Sequence, residues 1–317
     1  MRKSQRSLLE DRVINVDKNA SVTSYGVVDR LKRLLEIDKV GHAGTLDPFA
    51  TGVLLVCTGK ATKITRFLME LEKEYVGTIK FGSETDTDDR TGRVIFSKED
   101  FSVSRGEIEK EMTAFLGHIL QRPPRVSALK KHGMRLYEMA RRGERFETEA
   151  REVTVHDFKS LGFCFPNLDF SVQCSKGTYV RALARDLGTR LGCGAHLDAL
   201  RRIRIGHFAI EDALSVQNLT DMVEAGELAP CLRSVMSIDD ALSFMPAYTL
   251  KERVEQKVVH GQSPALDEFD QLGTAVPVNQ NVRILSSRGE FLAIGRTPSS
   301  SGDNVIRLEK VVAETHG

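Results

Sequence analysis

Residues 151–188, REVTVHDFKSLGFCFPNLDFSVQCSKGTYVRALARDLG, change period midway, and that change points to the kind of fold the chain builds. Val153 and Val155, then Leu168, Phe170, Val172 and Cys174, place apolar side chains at every second position, as half-buried strands do. After Thr178, a candidate helix cap, Leu183 and Leu187 are four apart and Arg181 and Arg185 form a second i,i+4 row, which predicts a helix with one face in a core. Upstream, Val27, Leu31, Leu34 and Leu35 follow Thr23 and Ser24 and predict a helix from Ser24 to Glu36. Tyr75 to Phe81 alternates like a strand. A capping-box pattern at Ser104 and Glu107 precedes Ile108, Met112, Phe115 and Ile119, spaced as on one amphipathic helix. Strands and helices mix without regular βαβ spacing, so the expected class is α+β, with a mixed, mainly antiparallel sheet and flanking helices.

Downstream, VRILSSRGEFLAIGR alternates on either side of Ser287 to Gly289 and predicts a β-hairpin, and NVIRLEKVV adds a strand. The acidic stretch between Gly226 and Met245 marks the expected boundary of a small β-rich C-terminal domain. The 317 residues carry 45 Lys and Arg against 44 Asp and Glu, so net charge does not argue for a nucleic-acid partner; only its distribution can. Gln121 to Arg145 holds eight basic residues and two Glu, and Lys176 to His207 seven basic residues and two Asp. Such windows are solvated faces or phosphate-binding surfaces. The five cysteines, Cys57, Cys164, Cys174, Cys193 and Cys231, form no metal-type spacing and read as reduced thiols. With no leader pattern and no long apolar run, a cytoplasmic protein without a membrane segment is expected.

The densest chemistry lies in GHAGTLDPFATGVLLVCTGKATK, residues 41–63. Asp47 precedes Pro48, which biases its backbone away from the helical region, and the glycines permit a tight loop. Two readings stand: a surface turn acid, or a carboxylate held rigidly for catalysis. Arg181 is likewise either solvated or the bidentate partner of a recessed acid such as Asp47. Gly59-Lys60 is followed by Ala61 and lacks the upstream glycine of a phosphate loop, which argues against nucleotide hydrolysis.

GHAGTLDPFATGVL, the Lys73-x-Tyr75 pair and GTYVRALARDLG together resemble the bacterial tRNA pseudouridine-55 synthase family of the TruB type. The resemblance runs from about Val13 to the C terminus, with a weaker likeness to the PUA RNA-binding domain over Tyr248 to Lys310. It implies a pseudouridine-synthase catalytic domain over residues 1–245, linker included, and a PUA-like domain over 246–317. It implies Asp47 as the catalytic aspartate, Arg181 as its salt-bridge partner and Tyr75 as the aromatic against the target base. Lys18, His42, Tyr179 and Leu200 are implied as substrate-binding residues. In place of the family's DKPxGxTS-like opening this chain reads DKNASVTS, with Asn19 and Ser21 at the Pro and Gly places, so a differently bent loop is expected there.

The implied reaction detaches uracil from C1′ of a uridine, turns it and rejoins it through C5. Asp47 either attacks C1′ or stabilises the sugar cation and removes the C2′ proton; the resemblance leaves both open. No metal or nucleotide cofactor is implied. The implied partner is the T arm of tRNA, with no obligate protein partner and a monomeric state. The competing class is a noncatalytic tRNA-binding or RNA-folding protein, and within the class an enzyme acting on ribosomal or guide-bound RNA.

Overall fold

Thr23 opens the first helix as expected: its side chain accepts the Gly26 N–H at 2.9 Å, and Glu36 closes the helix in the left-handed region. The computed structural model describes residues 8–126, 130–131, 134–135, 148–227, 233–270, 276–300 and 303–313. Most of the Gln121 to Arg145 basic window lies outside them. In chain order the N-terminal part contains β1 (Val13–Lys18), α1 (Ser24–Leu35), β2 (Val40–Ala43), β3 (Thr51–Thr58), α2 (Thr65–Met69), β4 (Lys73–Phe81), β5 (Ser83–Thr85) and β6 (Val94–Ser97). Then come α3 (Arg105–Thr113), β7 (Gly117–Gln121), β8 (Lys130–Lys131), β9 (Met134–Arg135), β10 (Arg151–Cys164), β11 (Asn167–Cys174), α4 (Val180–Arg190) and β12 (Ala195–Ile205). The short β13 (Phe208–Ala209) and β14 (Leu214–Ser215) lead to α5 (Val216–Ala225), β15 (Val235–Met236) and α6 (Ile238–Ala241).

One large sheet runs β14-β1-β3-β12-β4-β11-β10-β7, parallel at β14–β1 and β3–β12 and antiparallel elsewhere along that path. The expected α+β class is what is found. Alternation decides the faces: Tyr75, Ile79 and Phe81 of β4 join Leu168, Phe170 and Val172 of β11 in a core closed by Leu183 and Leu187 of α4. Strand β12 lies between β4 and β3, so the centre of the sheet brings residues 51–58, 73–81 and 195–205 side by side.

Two local expectations are corrected. The capping box forms, but α3 ends at Thr113, and Gly117, at φ +84, turns the chain into β7, where Ile119 pairs with Val153. Ile119 still packs against the same core, so the helical spacing was met by a returning strand. Thr178 does not cap α4; its hydroxyl donates to the Ser175 carbonyl at 3.0 Å, and Tyr179 occupies the cap position without a side-chain cap bond. Instead Gln121 holds the backbone of Tyr179 on both sides, accepting its N–H at 2.8 Å and donating to its carbonyl at 3.1 Å.

The C-terminal part forms β16 (Ala247–Thr249), α7 (Glu255–Val259), β17 (Asn281–Leu285), β18 (Phe291–Arg296) and β19 (Arg307–Val311), with sheet order β16-β17-β18-β19. The hairpin closes where expected: the Ser286 N–H donates to the Glu290 carbonyl at 2.8 Å and the Gly289 N–H to the Ser286 carbonyl at 2.9 Å, while the Ser286 hydroxyl accepts the Glu290 N–H at 3.1 Å. Ile294 and Val312 belong to a core that also contains Val53, Leu55, Ile238 and Met245 of the larger part. Arg283 donates to Asp239 at 2.8 Å and to the Met245 carbonyl at 3.1 Å, and Arg66 pairs with Glu309 at 2.7 Å.

The DKNASVTS loop keeps a left-handed residue at the family's glycine place: Ser21 has φ +65, and its N–H donates to the Pro48 carbonyl at 2.8 Å. An L side chain there costs about 1–2 kcal/mol, partly offset by a stiffer unfolded chain. Ser21→Gly is expected to stabilise the protein by about 0.5–1 kcal/mol, read as a higher urea midpoint; an unchanged or lower midpoint contradicts strain at Ser21.

Candidate active site

The turn carrying Asp47 is fixed from three sides. Ser24, buried at the start of α1, accepts the Leu46 N–H at 2.8 Å and donates to the Leu46 carbonyl at 3.1 Å. Lys18, fully buried at the end of β1, donates to the carbonyls of Asn19 at 3.0 Å, Val22 at 2.8 Å and Pro48 at 3.3 Å. Arg202 of β12, 1% exposed, donates to Val53 at 2.7 Å and Gly44 at 3.0 Å through their carbonyls. Gly52 is required by this packing: at φ +103, a Cβ there would sit 2.1 Å from the Arg202 carbonyl oxygen.

Asp47 meets Arg181, in the first turn of α4, side-on. Nη2 donates to Oδ1 at 3.1 Å and Nε lies 3.0 Å from Oδ2. The other side of the guanidinium is occupied by Asp89, whose Oδ2 is 3.2 Å from Nη1, and by the carbonyls of Thr87 at 2.9 Å and Val126 at 3.0 Å. Asp89 is oriented in turn by Thr87 and Thr91, which donate to its Oδ1. Arg181 and Asp89 are almost wholly buried, while the Asp47 side chain remains 31% exposed and opens on a cavity.

Burial raises the Asp47 carboxyl above the usual aspartate range, the Arg181 charge opposes that, Asp89 adds to it, and Lys18 opposes it again. The remaining effect is a carboxylate that holds its proton more tightly than a free one. Burial likewise lowers Lys18 to about 8, against the attraction of Asp47. The cavity, about 480 Å³, is lined by Asp47, Tyr75, Tyr179, Arg181, Leu200 and Arg202 among others, a size suited to a small organic group. Tyr75 is buried and its phenol is raised by that burial, with Arg202 opposing. The Arg202 guanidinium lies 6.0 Å from the Tyr75 ring centroid.

Five of the seven residues singled out from sequence, Asp47, Tyr75, Tyr179, Arg181 and Leu200, thus meet at one cavity. Lys18 and His42 do not line it. Lys18 is spent on three carbonyls and holds the turn from behind. His42 lies on β2 opposite Val56; its Nδ1 is buried without a hydrogen-bond partner among the described residues, and burial, then the charge of Arg202, lowers its pKa. Sequence reasoning missed Asp89, Arg202 and Gln121. Among the described residues no group of His, Cys, Asp and Glu is placed to hold a metal, and no helix is long and apolar enough to cross a membrane.

Comparison with known proteins finds the likeness along most of the chain. The family model for the N-terminal domain of TruB family pseudouridylate synthase matches residues 32–180, and that for the tRNA pseudouridylate synthase B C-terminal domain matches residues 181–243. The tRNA pseudouridine synthase B of Geobacter sulfurreducens is 40% identical over 87% of this chain and 90% of its own length. That of Syntrophobacter fumaroxidans is 41% identical over 88% and 90%. Among solved structures, a chain of a Cbf5-Nop10-Gar1 complex superposes with a TM-score of 0.79 at 27% identity, covering 98% of this chain and 87% of that one. A chain of an H/ACA RNP bound to a substrate RNA containing 2′-deoxyuridine gives 0.76 at 26% identity, covering 97% and 86%. With two consecutive family models accounting for most of the sequence and relatives matched along nine-tenths of their own length, the chain belongs to the TruB family of pseudouridylate synthases.

Proposed function

We propose that the protein isomerises the uridine at position 55, in the T loop of tRNA, to pseudouridine. The observation that carries this reading is the Asp47 carboxylate, paired side-on with Arg181 and opening on a cavity walled by Tyr75 and Leu200. A uridine in a folded loop must leave its stack before C1′ is reachable, at a cost of a few kcal/mol that the cavity offsets. Asp47 then acts at the ribose, by attack at C1′ or by stabilising the sugar cation and taking the C2′ proton. Both routes need the carboxylate ionised, and Arg181 holds it charged and aimed. Tyr75 and Leu200 enclose the detached base so that it turns without escaping, and Tyr179 closes the cavity beside them. His42 contacts the RNA where the flipped base leaves its stack, and Lys18 acts by fixing the turn.

Residues 1–245 carry the chemistry, and the β-rich part from 246 grips another portion of the same RNA. The basic stretch from Lys176 to His207 meets flanking phosphates. The protein acts as a monomer in the cytoplasm, where thiols such as the unpaired Cys57, Cys174 and Cys193 stay reduced. Relatives at 40–41% identity that bear the name tRNA pseudouridine synthase B favour a stand-alone tRNA enzyme over the multi-component complexes matched at 26–27%.

Nucleotide-resolution mapping of pseudouridine after incubating the protein with unmodified total RNA tests this. A single new pseudouridine at tRNA position 55 is expected. Modification confined to ribosomal RNA overturns the substrate, and tight tRNA binding without any new pseudouridine overturns the chemistry in favour of a noncatalytic RNA-folding role.

A further inference from the structure

The two arginines of the cavity are compensated in opposite ways. Arg181 sits between two carboxylates, Asp47 and Asp89, so that group carries one negative charge in excess. Arg202, although fully buried, meets carbonyls: Val53 at 2.7 Å, Gly44 at 3.0 Å and Thr45 at 3.5 Å, with no carboxylate paired to it among the described residues. Burying a guanidinium without an anion is expensive, and carbonyl dipoles offset only part of that. Its charge lies against Tyr75, and Lys73, whose ammonium is likewise held by the carbonyls of Met69 and Leu71, lines the same cavity. The cavity is therefore polarised, negative at Asp47 and positive beside Tyr75.

We propose that Arg202 supplies the positive charge that stabilises uracil as an anion while it is detached from the ribose. The inference rests on the pseudouridine reading of the site. When the C1′–N1 bond breaks, its electron pair leaves with the base and spreads over N1 and O2, while C1′ becomes cationic or bonds to Asp47. After the base turns, the anion's electron pair, shared with C5 through the C5=C6 bond, forms the new bond to C1′, any proton that Asp47 took from C2′ returns there, the C5 proton departs and N1 takes up a proton, so the overall change is an isomerisation. Heterolysis creates a cation–anion pair, and the polarised cavity matches both halves, with the acid toward the sugar and Arg202 toward the base. Arg202 neither gives nor takes a proton in this scheme. The charged groups around the cavity are Asp47, Asp89, Glu70 and Glu152 on the acidic side and Arg181, Arg202, Lys18, Lys73, Arg151 and Lys176 on the basic side.

Arg202 also holds the Gly44 carbonyl, so its test must separate charge from positioning. Single-turnover cleavage is measured at saturating RNA with tRNA carrying either uridine or 5-fluorouridine at the target, reading the loss of the N-linked nucleoside. Fluorine draws charge from the base and lessens its need for a protein cation. Arg202→Met is expected to slow uridine about 100-fold but 5-fluorouridine roughly tenfold or less, with Arg202→Lys in between. Equal losses on both substrates overturn the proposal and leave a positioning role alone. If R202M does not fold, the wild-type protein decides: RNA with 6-hydroxyuridine, whose base is an anion at neutral pH, is expected to bind about tenfold tighter than uridine RNA, and equal affinity overturns the proposal. Failure of the wild-type protein to convert uridine at all is a different result and counts against the pseudouridine reading instead.

Discussion

Asp47→Asn leaves tRNA bound but abolishes its isomerisation, with a single-turnover rate lower by about 10⁴-fold or more, the scale seen when a group acting at the reacting atom is removed. The amide keeps the shape of the turn, since Leu46 and Pro48 are held through their backbone rather than through the Asp47 side chain. The same change is expected to raise the melting temperature at neutral pH. Burial has lifted the carboxyl above the usual aspartate range, so the native state keeps a proton that the unfolded chain has already released. As pH rises through that window the native state must lose the proton and stability falls. The Asn variant has no such fall, and it leaves Arg181 with a single matched carboxylate, Asp89. Full activity in D47N, or a melting curve with the parent's pH dependence, contradicts this account. A group that lowers stability while enabling the reaction is what a stability–activity trade-off predicts.

Arg181→Lys is expected to lower the single-turnover rate roughly 100-fold with little change in RNA affinity, because an ammonium cannot meet Asp47 side-on while also satisfying Asp89, Thr87 and Val126. The acid limb of the pH–rate profile supplies the sign. Arg181 is the largest influence holding the Asp47 carboxyl down, so weakening it moves the limb to higher pH. Arg181→Met goes further and leaves two acids facing each other without their cation, a destabilisation of about 3–5 kcal/mol. An R181K acid limb that coincides with the parent's, or shifts to lower pH, excludes the assigned electrostatics.

Local periodicity carried most of the fold. Strands β4, β10 and β11 and helices α1 and α4 are each set by apolar spacing within one segment, which sequence displays directly. Phe115 and Ile119 misled because two elements returning to one core can mimic a single helical face. At the site, the Asp47–Arg181 pair came from residue chemistry and resemblance. Asp89 and Arg202 stayed hidden because their partners lie far away along the chain, Arg202 bonding to Gly44 and Val53 across about 150 residues. A signal was nonetheless present. Lys18 shares its strand face with Ile14 and Val16, and Arg202 shares one with Leu200, so each is a cation on an apolar parity. A charge in such a place is either a misfit or a tether for backbone carbonyls, and here both serve as tethers.

Ile294 of the C-terminal sheet and Val312, just past its last strand, lie in the same apolar core as Val53 and Leu55, the strand that follows the Asp47 turn, and Arg283 and Arg66 clamp the seam. On the proposed reading that the C-terminal sheet grips RNA, this seam predicts the behaviour of a caliper with fixed jaws: the span from grip to reaction centre is set by the shared core, and an RNA whose own corner matches that length is expected to be preferred. Lengthening or shortening the T stem by one base pair then tests ruler-like selection without touching a single residue of the protein.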